Sequence, residues 1–186
     1  MRSRAAELGY ANEWLELGLL DEAFLAQQLA RYDAGEDTNT EHYRWAAFQQ
    51  LLLRREWSDN AIADYLKLAR LDGDVSVATS AIIALIDHPS LSDEQLQQLD
   101  STTGGSAVIE KRWRRARMLR ELRFPIVEVK AFRRLALEGD AEVQQALLQR
   151  QDLPEAILEL LQQKGANRAI RNQAAQRHRA KGASRR

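Results

Sequence analysis

The stretch of this sequence best equipped for chemistry is Glu110–Arg123, which reads Glu-Lys-Arg-Trp-Arg-Arg-Ala-Arg-Met-Leu-Arg-Glu-Leu-Arg. Ile109, Trp113, Ala116, Leu119 and Leu122 recur at helical spacing and predict one apolar face, which leaves Lys111, Arg114, Arg115, Arg117 and Arg120 on the open sides. A guanidinium presents a planar fork of N–H donors that grips a carboxylate or phosphate through two parallel bonds. A row of such forks suits an acidic protein surface or a nucleic-acid backbone. Arg133, Arg134, Arg168 and Arg171 extend the cationic series along the later sequence, and Arg177 and Arg179 follow them. The competing reading is a solvated helix face whose cations pair with acids from neighbouring helices.

A second candidate is Glu41-His42-Tyr43-Arg44-Trp45, rich in polar and aromatic types for a helix start. It follows the longest polar loop, so His42, Tyr43 and Trp45 either line a recognition site or lock two helical hairpins together. The three histidines, His42, His88 and His178, are too dispersed to form a ligand cluster by spacing. His88 precedes Pro89 and reads as a turn residue. No phosphate-binding glycine motif and no nucleophile elbow is present. No catalytic, cofactor-binding or metal-ligating residue is therefore assigned, and no cofactor is expected.

Charge is unevenly laid out. The formal net charge is +0, yet residues 1–106 hold 8 Lys/Arg against 18 Asp/Glu, a net of −10, and residues 107–186 hold 19 against 9, a net of +10. Three readings follow: facing repeats attract one another, further copies of the chain assemble through their opposite halves, or the basic half holds an anionic macromolecule, with an acidic protein surface preferred and nucleic acid the alternative. The absence of cysteine excludes disulfides and thiolate metal sites and fits a cytoplasmic home. No run approaches the roughly 18 apolar residues of a membrane span, and no signal-peptide pattern opens the chain, so no membrane partner is expected.

The elements that must position these residues are helices. Three prolines and nine glycines in 186 residues, with abundant Leu, Ala, Glu, Gln and Arg, are a helical composition. Four places show a large apolar residue followed by a capping residue or proline: Trp57-Ser58, Leu91-Ser92, Phe124-Pro125 and Leu153-Pro154. Each is followed five places on by Ile62, Leu96, Val129 or Leu158, and eight places on by Tyr65, Leu99, Phe132 or Leu161. Offsets 0, 5 and 8 lie on one helical stripe, so each of these helices is expected to bury the same face. A partner helix precedes each one, at Thr40 to about Arg55, Asp74 to about Asp87, Ser106 to about Arg123, and Asp140 to about Gln149. Gly73, Gly104-Gly105, Gly139 and Gly165 mark stops between helices. Ahead of them, Ala5–Leu17 reads as one helix ended by Gly18, and Asp21 opens another.

Two of these units resemble the leucine-rich repeat variant, a member of the broader HEAT-like class of helical repeats. The first is Asp74-Val75-Ser76-Val77-Ala78 with Ala81, Ala84 and Leu91-Ser92; the second is Asp140-Ala141-Glu142-Val143 with Ala146 and Leu153-Pro154. The first has four more residues between its opening Asp and its Leu than the second, and the cysteine cluster found with some such repeats is absent, so no metal cluster is carried over. The resemblance implies an all-α, right-handed α-solenoid of about five antiparallel helical hairpins plus a C-terminal capping helix. Residues 1–180 would form one repeat domain: a divergent hairpin over 1–33, four HEAT-like hairpins over 41–163 and a cap over 167–179, with 181–186 as a disordered tail. It implies a non-enzymatic scaffold for protein–protein contacts. The alternative is a nucleic-acid-binding protein of the DNA-glycosylase kind that uses the basic C-terminal half.

Overall fold

The computed structural model describes residues 2–53, 56–102 and 106–183, and every regular element among them is a helix. These are α1 (Arg2–Glu7), α2 (Glu13–Glu16), α3 (Glu22–Asp33), α4 (Thr40–Leu52), α5 (Asp59–Leu71), α6 (Val75–Ile86), α7 (Asp93–Thr102), α8 (Ala107–Glu121), α9 (Val129–Glu138), α10 (Ala141–Gln149), α11 (Glu155–Lys164) and α12 (Arg168–Ala183). The chain is all-α. No helix among the described residues is long and apolar enough to cross a membrane.

Helix starts follow from short polar side chains that satisfy orphan N–H groups. Asp21 accepts from Phe24 N at 2.9 Å and Ser58 from Ala61 N at 3.2 Å. Asp74 accepts from Ser76 N and Val77 N at 2.7 and 3.0 Å, and Asp140 from Glu142 N and Val143 N at 3.1 and 3.2 Å. Ser92 and Gln95 form a reciprocal capping box, at 3.1 and 3.0 Å. The two N–H donors reaching Asp74 hold its carboxyl below the usual aspartate range.

Three expectations need correction. Ala5–Leu17 is not one helix, because Gly9, at φ +78°, closes α1 with Tyr10 N donating to Ala5 O and Gly9 N to Ala6 O. Gly18 closes α2 in the same way, at φ +62°. Phe124-Pro125 starts no helix: Phe124 is 53% and Val129 64% exposed, and α9 begins four residues after Pro125. The burial pattern there belongs to Val127, which packs on the core with Phe132 and Leu135 five and eight places on. Trp57, Leu91 and Leu153 are buried as expected. Finally, α12 continues past Arg179 to Ala183, so the first three residues of the expected tail are helical. The Gly104-Gly105 stop, the extension of α4 to Arg55, and residues 184–186 lie outside the described residues.

The helices fall into two compact units, Met1–Glu110 and Lys111–Arg186. In the first, α6 packs against α4 and α5. Its core contains a run of edge-to-face aromatic pairs: Tyr10 on Trp14 at 5.4 Å, Trp14 on Phe48 at 4.8 Å, Phe48 on Tyr65 at 5.2 Å, Tyr65 on Trp57 at 5.4 Å and Trp57 on His88 at 5.6 Å. Each such pair contributes about 0.5–1.5 kcal/mol beyond its burial. In the second unit α9 packs on α10 and α11, and α12 on α10 and α11. That core is aliphatic apart from Phe132.

One buried ion pair organises the first unit. Arg44, 6% exposed, donates from Nε to both Asp72 carboxylate oxygens at 3.2 and 3.0 Å, and from Nη1 to Leu8 O at 3.0 Å and Thr40 Oγ1 at 3.1 Å. The Asp72 side chain is fully buried. Gly9 makes room for the guanidinium, since a Cβ there would lie 2.5 Å from Arg44 Nη1. Beside it the Tyr10 hydroxyl lies 2.7 Å from Gln28 Oε1 and 2.8 Å from Tyr43 O, its one proton shared between these acceptors, and burial raises its pKa. Removing one member of a buried pair strands the other. Arg44→Met should therefore lower stability by about 3–5 kcal/mol in urea unfolding, and adding Asp72→Leu should recover part of the loss. Gly9→Ala should cost more than about 1 kcal/mol in the native chain and less in the Arg44→Met background, because only the backbone strain remains there.

Candidate anionic-partner interface

The expected cations of α8 separate into engaged and exposed groups. Arg115 is bound by the start of α10: Nε lies 2.5 Å from Asp140 Oδ2, and Nη1 2.8 Å from Glu142 Oε2. It fastens a helix cap and is not offered to a partner. Arg112 approaches Glu142 at 3.8 Å. Arg114 is exposed and Arg120 half-buried, and both have partners. Lys111 and Arg117 are exposed without an ion pair among the described residues, with the Arg117 guanidinium 4.7 Å from the centre of the Trp113 ring. Trp113, Ile109 and Leu122 are buried as the helical spacing predicts.

Beyond α8 the same division holds. Arg134 pairs with Glu121, and Arg171 donates to Gly165 O at 2.7 Å. Arg133 and Arg168 are exposed and carry no ion pair among the described residues. Of the nine candidate cations, Lys111, Arg117, Arg133 and Arg168 thus retain free charge at the surface. Arg123 and Lys130, which were not singled out, join them.

The aromatic candidates sit elsewhere, in the first unit. His42 is exposed, with Nδ1 2.8 Å from Asp37 Oδ2, and the carboxyl of Asp37 is held low first by the Asn39 N–H and then by His42. Tyr43 is buried; its hydroxyl donates to Asp37 O at 2.8 Å, and its own carbonyl receives Tyr10 and Gln28. Trp45 is half-buried. His42 and Tyr43 tie the preceding loop to the start of α4. His88 occupies its corner as the sequence suggests, with Nε2 2.9 Å from Leu52 O and Nδ1 accepting from Ser90 N at 3.3 Å. Among the described residues no three His, Asp or Glu side chains are grouped so that they could hold a metal ion.

Sequence reasoning missed an apolar edge bordering the free cations. Phe124, Ile126 and Val129 are 53%, 87% and 64% exposed within six consecutive residues, with Arg123, Lys130 and Arg133 beside them. The backbone beneath is held from inside. Arg150 donates to Leu122 O at 2.6 Å, Phe124 O at 2.7 Å and Pro125 O at 3.1 Å while a bidentate contact to Asp152, at 2.8 and 2.7 Å, orients its fork. The only sequence signal was Pro125, which had been taken for a helix start.

Compared with protein-family models, curated proteins and solved structures, the chain matches none.

The Arg150 fork should fix the 122–126 backbone. Arg150→Ala is expected to speed amide exchange of residues 123, 124 and 126 by about tenfold or more, with the middle of α10 unchanged. The contact with Arg150 depresses the Asp152 pKa, so this contribution is complete above the ordinary aspartate value near 3.8 and is lost as pH falls through the lower native value. Loop exchange corrected for its intrinsic pH dependence should rise on that side and stay flat between pH 5 and 7.

Proposed function

We propose that the chain is a non-enzymatic protein–protein interaction module whose Lys111–Arg186 unit holds an acidic protein surface. The carrying observation is the separation of charge: that unit has 19 Lys/Arg against 8 Asp/Glu, a net of +11, and Met1–Glu110 has 8 against 19, a net of −11. The unit boundary and the charge boundary nearly coincide. Lys111, Arg117, Arg133 and Arg168 stand exposed without carboxylate partners, so the surplus is available to a ligand.

Each unit reads as a short stack of helical hairpins of the HEAT-like kind. Supporting this, neighbouring helices pack on one another (α5 on α6, α9 on α10, α11 on α12), and so do helices two apart (α4 on α6, α9 on α11, α10 on α12). Such stacks present side chains in rows suited to extended partners. Exposed apolar groups beside the cations favour a protein surface over a phosphate backbone, because Phe124, Ile126 and Val129 gain by burial against apolar side chains.

Fluorescence anisotropy with a labelled oligoglutamate peptide of about 20 residues tests the reading. At roughly 0.05 M salt the peptide should bind in the micromolar range, and the combined Lys111→Glu, Arg117→Glu and Arg133→Glu variant should bind at least about tenfold more weakly. No binding at about 100 µM would overturn the proposal. A DNA duplex that binds more tightly than the peptide at roughly 0.15 M salt, with an affinity falling as several powers of salt concentration, would assign the unit to nucleic acid instead.

A further inference from the structure

We infer that the acidic surface recognised by the basic unit belongs to a second copy of this chain, so that the protein self-associates with the second unit of one copy on the first unit of another. This rests on the interaction-module reading above and names its partner. The basic edge is the Arg150-held segment in which Phe124, Ile126 and Val129 stand out between Arg123, Lys130 and Arg133. Apolar side chains so exposed on a fixed backbone lose little conformational freedom when covered.

The complementary edge is in the first unit, from α2 into α3. Glu13, Glu16, Asp21 and Glu22 lie within ten residues, and none has a cationic partner among the described residues, although Arg4 and Arg31 pair with Glu7, Asp33 and Glu36 close by in sequence. Leu17 and Leu19 stand half-exposed between these acids. The backbone is again fixed, here by the Gly18 turn, with Leu19 N donating to Trp14 O at 3.1 Å, and by the Asp21 cap of α3. One edge is apolar with unpaired anions, the other apolar with unpaired cations, and their units carry −11 and +11. Opposite charge and an apolar strip on each edge make the two complementary between copies of the chain. Two different patches in contact make a heterologous interface, which builds closed or open assemblies according to its rotation.

Sedimentation velocity on the full chain from roughly 5 to 500 µM provides the test. At low ionic strength the average mass should rise with concentration above the 21.2 kDa of one chain, and fall back to it in about 0.5 M NaCl. Ile126→Glu with Val129→Glu removes the basic edge, and Glu16→Lys with Glu22→Lys removes the acidic one; both sets are at the surface, and circular dichroism checks that they fold. Each variant alone should stay monomeric over a concentration range at least about tenfold wider than the native chain. An equimolar mixture should recover a species of twice 21.2 kDa, because one intact edge of each kind remains. A native chain that stays monomeric throughout, or either variant associating as well as the native chain, overturns the inference. So does a monomer that sediments with vesicles of phosphatidylglycerol but not phosphatidylcholine, which would give the basic edge to a lipid surface. Oligoglutamate binding that persists while self-association fails would leave the interaction-module reading standing and remove only this partner.

Discussion

Helix C-termini leave carbonyls without intrahelical partners, and the way this chain meets that constraint governs much of its sequence. Repeatedly the donor is a side chain about one hairpin further along. Arg44 donates to Leu8 O, 36 residues back; His88 to Leu52 O, 36 back; Arg150 to Leu122 O, 28 back; and Lys181 to Leu153 O, 28 back. Arg177 reaches Leu148 O, 29 back, and Arg150 O, 27 back. Gln95 serves Trp57 O in the same manner from 38 residues on. Each bond ties a helix end or the turn beyond it to an element one hairpin away, so the termini that would fray are held by tertiary structure.

This accounting changes the meaning of the basic C-terminal composition. An arginine such as Arg150, Arg171 or Arg177 looks like surface charge in the sequence but works as a carbonyl donor in the fold. Glutamines perform the same task in neutral form where the site is buried, as Gln144 does by donating to Ala136 O at 2.8 Å while accepting from Ala166 N. Arg115 differs again: its partners are carboxylates at the start of α10, so it orients the very Asp140 that caps that helix. Position in the fold, not residue type, decides which cations stay exposed.

Helix starts were legible because their signals are local. Asp21, Ser58, Asp74, Ser92 and Asp140 each satisfy N–H groups two or three residues away, so identity and spacing suffice. The start of α9 was misplaced because Glu128, its first flanking residue, makes no side-chain cap, whereas Phe124-Pro125 imitates a start. The 0, 5, 8 pattern fits both registers, and only burial separates Val127 from Phe124. Gly9 was passed over inside an apparent helix because its role depends on Arg44, 35 residues away. The candidate site was legible as charge and illegible as availability, since the partners of Arg115, Arg134 and Arg171 are set by tertiary contacts.

Carbonyl capping by cations also shapes the electrostatic field of the second unit. A carboxylate partner cancels a guanidinium charge at long range, but a carbonyl only solvates it, and the full positive charge persists in the surrounding field. Arg171, Arg177 and Lys181 are bonded to carbonyls and contribute their full charge to the +11 of their unit, whereas the charge of Arg150 is cancelled by the Asp152 carboxylate. Such a surplus repels itself and opposes compactness. The first unit carries the opposite surplus, with Glu13, Glu16, Asp21 and Glu22 lacking cationic partners among the described residues. Each unit therefore stores electrostatic free energy that is relieved by an oppositely charged surface and screened by salt. The apolar groups beside each surplus differ in kind from the charge, because close packing of Ile126 or Leu19 requires a particular neighbour whereas charge alone does not.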